Sequence, residues 1–230
     1  MSLIHLLARQ LSPEQRARVK DWIPPAVMRR LRRTPGQQGT LPRPTALHDA
    51  DLLNQQHQAV PGPRRSLEQM FVVIEVDAAE FFVGELFRRR FRTSSFPDRP
   101  RHFVGFYRCL DGTVLPLGYV HHDAWNSNSL CGGLVIDERM YRRIPDNDRK
   151  VIHAAGGVAE ALLRSSFALL DDGLIAIWAH VGDKQSEKVC LRVGYRHTAS
   201  PYVMVIWLRD DLSDEEKAEW VRRVTEHGPF

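Results

Sequence analysis

Gly173-Leu-Ile-Ala-Ile-Trp-Ala-His-Val181 is followed by Gly182-Asp-Lys-Gln-Ser-Glu-Lys-Val-Cys-Leu-Arg-Val-Gly-Tyr195 and then by Pro201-Tyr-Val-Met-Val-Ile-Trp-Leu208. The first and last runs are short, apolar and bounded by turn residues, so they read as strands. Between them, Asp183 is a natural N-cap for a helix through Ser186 to Val193. Gly194 then suits the left-handed residue that ends such a helix. The stretch is a strand, a helix and a strand.

On either side of this stretch, Gln69–Val76 reads as a strand and Ala78–Phe91 as an amphipathic helix, with Phe81, Phe82, Leu86 and Phe87 among charged residues. His102–Cys109 and Val114–Val120 flank Asp111-Gly112, a strong hairpin signal. Leu130–Ile136 is the next strand. Asp148–Leu170 reads as one long helix with Ile152, Ala155, Val158, Leu162, Leu163 and Phe167 on one face. Ser213 and Glu216 form a capping box that opens a final helix through Val224. Strands alternating with helices predict a mixed α/β sheet packed against helices. Leu130–Ile136 and Leu174–His180, joined by a helical crossover, are expected to be parallel neighbours that separate at one end.

The region before residue 66 has a different character. Ser12-Pro13-Glu14-Gln15 opens a helix, Pro24-Pro25 breaks it, and Thr34–Pro44 is a Pro- and Gly-rich linker. Residues 1–65 are therefore expected as a helical extension and linker, 66–208 as the main domain, and 209–230 as a helix packing on it. The extension reads either as packing on the main domain or as a basic arm for an acidic partner or membrane surface.

The order Asp183-x-x-Ser186-x-x-x-Cys190-x-x-x-Gly194-Tyr195 resembles the signature that closes GCN5-related N-acetyltransferases (the GNAT superfamily), and the element order over residues 66–208 is similar to theirs. The resemblance implies a GNAT-like acyltransferase fold and transfer of an acyl group from acetyl-CoA or a longer acyl-CoA to an amine, on a small molecule or a protein. It implies a donor seated between two parallel strands, with backbone N–H groups near Leu134 and Ile136 polarising the thioester, and with Asp183 and Ser186 at the opening of the next helix. The pyrophosphate would rest on a Gly-rich helix start, where unpaired N–H groups and the helix dipole favour an anion. Two partial matches to that turn are present, Gly156-Gly157 and the cationic pair Arg142-Arg143. The tyrosine acid of the family is replaced by Cys190. Candidate bases are His180 ahead of His121, which ends the hairpin in His121-His122-Asp123, with Asp137 and Glu138 behind, because imidazole titrates near working pH.

Two alternatives stay open. The donor is acyl carrier protein, met by arginine clusters such as Arg88-Arg89-Arg90, or the domain is a non-catalytic GNAT-like binding module. Thirty-two basic against 28 acidic residues give a net charge of only +4, a weak field for nucleic acid, and no nucleic-acid motif is recognisable. Cys109, Cys131 and Cys190 are dispersed and unpaired, which favours a reducing compartment, with cytoplasm as the default. No secretory signal, bilayer-spanning stretch or metal-ligand spacing is expected.

Overall fold

The computed structural model describes residues 65–98 and 100–230. The helices and linker expected before residue 65 lie outside the described residues. Elements follow in the order α1 (Leu67–Met70), β1 (Phe71–Glu75), α2 (Ala79–Phe91), β2 (Arg101–Arg108), β3 (Val114–Trp125), β4 (Asn128–Ile136), α3 (Glu138–Arg143), α4 (Asp146–Ala154), α5 (Val158–Phe167), β5 (Ala176–His180), α6 (Lys184–Val193), β6 (Arg196–His197), β7 (Val203–Trp207) and α7 (Asp214–His227). The seven strands form one sheet in the order β1-β2-β3-β4-β5-β7-β6. Neighbours are antiparallel except β4 and β5, which run parallel. This is a mixed α/β sheet packed against helices, with the parallel pair that the sequence predicted.

The β4–β5 pair decides where a ligand can enter. Pairing runs Ser129↔Ile177, Leu130↔Trp178, Cys131↔Ala179 and stops. Beyond it β4 continues from Gly132 to Ile136, whereas β5 has only His180 left. The strands therefore part at Gly132. On its other edge β4 carries a bulge: Tyr119 pairs with Val135 but His121 pairs with Gly132, so β4 has one residue more than β3 across that interval. Gly133 takes it up at φ +61, a left-handed conformation that glycine adopts without a Cβ penalty.

Both sheet faces are covered. Leu162 and Leu163 of α5 and Val189, Cys190 and Val193 of α6 pack with Phe103, Val120, Cys131, Ile177 and Ala179. On the opposite face Val224 of α7 meets Leu130, Ala176, Trp178, Val203 and Val205. The alternation along β5 follows directly from strand geometry: Ile177 and Ala179 face α5 and α6, while Ala176, Trp178 and His180 face α7.

Several expected elements are redrawn. The long helix at Asp148–Leu170 is two helices, α4 and α5, because Gly156 and Gly157 both have φ near +90. Gly157 N–H donates to the Ile152 carbonyl at 2.9 Å and ends α4 in a Schellman-type turn. The first strand starts at Phe71, since the Ser66–Gln69 capping box winds Leu67–Met70 into a helical turn. A second hairpin joins β3 to β4 through Asn126 (φ 47) and Ser127 (φ 59), the two left-handed residues that a tight twisted turn demands. Asp183 caps α6, Gly194 ends it at φ +112, and Ser213 with Glu216 opens α7, all as the sequence indicates.

Candidate functional site

The opened end of the β4–β5 pair gathers chemistry on the face toward α2 and α7. His121 lies on β3 opposite Gly132, and His180 lies on β5 just past the last pair. The two expected base candidates thus flank the same glycine on the same face. They differ in surroundings. His121 is 5% exposed, whereas His180 is exposed at its strand end, its ring 6.1 Å from Tyr202 and 6.2 Å from Phe230.

The two glycines leave the room that His121 needs. A Cβ on Gly132 would stand 2.7 Å from His121 Nε2, and one on Gly133 would stand 2.5 Å from its Cε1 and 2.9 Å from the Phe87 ring. Behind the imidazole, His121 Nδ1 is 3.2 Å from the Tyr119 hydroxyl, which is 2.7 Å from His102 Nδ1. Beside it, Asp123 Oδ2 is 3.8 Å from Nε2. Burial, reinforced by the neighbouring His102, pushes the His121 pKa down to about 4, so the ring is neutral with a free lone pair at pH 7. Burial raises the Asp123 carboxyl, partly offset by His227. Past α7 the chain turns at Gly228 (φ 85) and brings the Phe230 carbonyl carbon and oxygen to 3.0 and 3.1 Å from that same Cβ position on Gly132.

The opposite face holds the thiols. Cys190 is 5% exposed, and burial with the nearby Asp183 charge pushes its pKa up to about 11. Cys131 is pushed up to about 12 by burial. His122 faces this side too, with Nδ1 2.8 Å from Ser129 Oγ and Nε2 3.0 Å from Ser166 Oγ. Both nitrogens of this 1%-exposed imidazole are thereby spent on a core network.

The remaining expected site residues divide. Leu134 and Ile136 lie on β4 beyond the point of separation, beside the opening. Asp183 caps α6, accepting from the Gln185 and Ser186 N–H groups at 2.9 and 3.0 Å and from Ser186 Oγ at 2.7 Å. Glu138 opens α3 on the surface, and Arg142 and Arg143 are exposed at its end. Two helix starts follow them. That of α4 carries Asp146 and Asp148, which disfavours an anion, whereas that of α5 has Gly157 as its N-cap residue. At α5, Glu160 accepts from Arg164 Nε and from Arg192 Nε, each at 2.9 Å. Of the arginine clusters, Arg88 pairs with Glu80, Arg89 lies 3.5 Å from Asp137, and Arg222 pairs with Glu219 and Glu226.

Gly132, Gly133, Tyr119 and His102 complete the arrangement and were not among the expected site residues. The one local signal was Gly132-Gly133 within a strand, which marks a bulge or a close approach. Among the described residues no group of three metal-ligating side chains converges, and no helix is long and apolar enough to cross a membrane.

No protein-family model matches the chain, and no curated protein matches it. Solved structures do. The ribosomal-protein-S18-alanine N-acetyltransferase from Escherichia coli is 12% identical with a TM-score of 0.40, over 63% of this chain and 99% of that one. The AtaTR assembly bound with acetyl-CoA is 11% identical with a TM-score of 0.30, over 60% of this chain and 93% of that one. The KacTA–DNA complex is 12% identical with a TM-score of 0.33, over 68% of this chain and 99% of that one.

Proposed function

We propose that this chain is an N-acyltransferase that takes an acyl group from an acyl-CoA thioester, most simply acetyl-CoA, and passes it to an amine. The observation that carries the reading is the parting of β4 from β5 at Gly132, with a bulge at Gly133 and a neutral imidazole beside it. Backbone N–H groups released from strand pairing are suited to polarise a thioester carbonyl.

The base is His121 in preference to His180. Its Nε2 meets the glycine at the opening, and its burial keeps it unprotonated, while His180 stands exposed beyond the last strand pair. The amine lone pair attacks the thioester carbon, the amine proton passes to His121 Nε2, the C–S bond breaks, and the thiolate takes that proton back. Asp123 offsets the imidazolium charge while it lasts. Cys190 is a poor acid for the thiolate: a thiol near 11 would give its proton uphill to one with an ordinary pKa of about 8.5. The diphosphate of the donor is assigned to the start of α5, where Arg164 and Arg192 already hold an anionic group, in preference to Arg142 and Arg143.

A second reading, a binding module without turnover, is favoured by Glu160 at the anion position and by the Phe230 main chain over Gly132. The two separate on binding and on turnover. Acetyl-CoA at a hundredfold excess over its dissociation constant should stabilise the fold by about 2.7 kcal/mol, and free thiol should be released in the presence of an amine panel. Binding without thiol release selects the module, and no binding of acetyl-CoA at millimolar concentration overturns the donor assignment.

A further inference from the structure

His102, Tyr119 and His121 form a buried row on the α2 side of the sheet that ends at Gly132. His102 pairs with His121 across β2 and β3, and the Tyr119 hydroxyl sits between the two Nδ1 atoms. Phe96 stacks on His102 at 5.4 Å and packs on Tyr119 at 5.3 Å, while Phe87 contacts both Tyr119 and His121. The three polar groups are 6%, 0% and 5% exposed, so their bonds to one another are not diluted by water.

A phenol has one proton to give and a lone pair to accept with. Burial raises the Tyr119 pKa, which keeps that proton in place. Hydrogen bonds donated by O–H are shorter than those donated by N–H, at about 2.7–2.8 against 2.9–3.0 Å. The shorter, 2.7 Å contact to His102 fits O–H donating to Nδ1, and the longer, 3.2 Å contact fits His121 Nδ1–H donating to the Tyr119 oxygen. The opposite arrangement would place the proton of His121 on Nε2, whose nearest carboxylate oxygen, on Asp123, is 3.8 Å away and beyond bonding range.

We propose that Tyr119 and His102 are positioning residues that hold His121 in its Nδ1–H form, leaving the Nε2 lone pair directed at the opening beside Gly132. The proposal rests on the acyltransferase reading only for its consequence; the tautomer itself is independent of turnover.

The test is a long-range proton–nitrogen spectrum of the 15N-labelled full chain at pH 7, with His121 assigned by its loss in His121→Gln. The expected wild-type pattern is Nδ1–H. In Tyr119→Phe the Nδ1 proton loses its acceptor, and in His102→Phe the tyrosine turns its proton onto His121, so both variants should read Nε2–H. A wild-type Nε2–H pattern, or an unchanged pattern in both variants, overturns the proposal. A purely structural role would lower the melting temperature of Tyr119→Phe without moving the tautomer. In an assay of thiol release, Tyr119→Phe should lower kcat about 10- to 100-fold with the donor KM unchanged. If the tautomers behave as stated and no acyl transfer is found, tautomer control stands and the acyltransferase reading falls.

Discussion

His121 and His180 show how two side chains with the same chemistry come to different standing. Alternation puts both on one face beside Gly132, but only His121 is enclosed, and its depressed pKa follows from that enclosure. We expect His121→Gln to lower kcat by about 10²–10⁴-fold, the range for loss of a positioned base. His180→Ala should change it by less than about threefold. The wild-type rate should keep its base through pH 5 and lose it as the pH falls through about 4, not near 6.5. A hundredfold loss of rate in His180→Ala with an unchanged rate in His121→Gln would return the role to His180. Cys190→Ser tests the thiol in the same assay: with its proton held to about pH 11, its loss should cost less than about threefold in kcat. A hundredfold loss would make it the acid after all.

The start of α5 is the place where an element, more than any one residue, sets the chemistry. Four N–H groups at a helix start lack intrahelical partners and attract an anion, and here Glu160 supplies one, held by Arg164 and Arg192. A diphosphate would compete with that carboxylate for the same guanidinium groups. Glu160→Gln should therefore tighten acetyl-CoA binding about threefold or more, and Arg192→Ala should weaken it, with both effects shrinking at high salt. Equal affinity in both variants would move the diphosphate elsewhere. The sequence carried the caps at Asp183, Gly194 and Ser213–Glu216 plainly, because a cap is decided within four residues. It also carried the parallel pair, through its crossover. The Gly156–Gly157 break was hidden inside a continuous apolar stripe, because Val158, Leu162 and Leu163 keep helical spacing among themselves while two positive φ values reset the axis. The His102–Tyr119–His121 row was illegible for another reason: it depends on strand register between β2 and β3, which no local pattern specifies.

Across the entire described sheet, the interior holds three neutral histidines close together, and this makes the fold acid-sensitive. Burial lowers the pKa of His102, takes His121 down to about 4 and His122 to about 3, from an ordinary 6.5 in the unfolded chain. Above pH 6.5 neither state binds these protons, and the stability is fully present. As the pH falls below 6.5 the unfolded chain takes up protons that the folded chain refuses, so stability declines toward pH 4, where His121 begins to protonate in place. Asp123 acts in the opposite sense, since its raised pKa lets the folded state bind a proton first, but it is one group against three. Each tenfold difference in proton affinity between the folded and unfolded chain is worth about 1.4 kcal/mol. For His121 and His122 together the loss between pH 6.5 and 4.5 is therefore of order 5 kcal/mol, a large share of the roughly 5–15 kcal/mol that holds a domain together. Urea unfolding at pH 7, 5.5 and 4.5 should show the midpoint falling steadily at constant slope. His122→Phe, which removes the most deeply buried of the three rings while Ser166 keeps its bond to the Leu163 carbonyl, should flatten that fall. A midpoint that stays level from pH 7 to 4.5 would mean that the imidazoles take up protons as readily inside the fold as outside it, and the depressed pKa argued for His121 would go with that result.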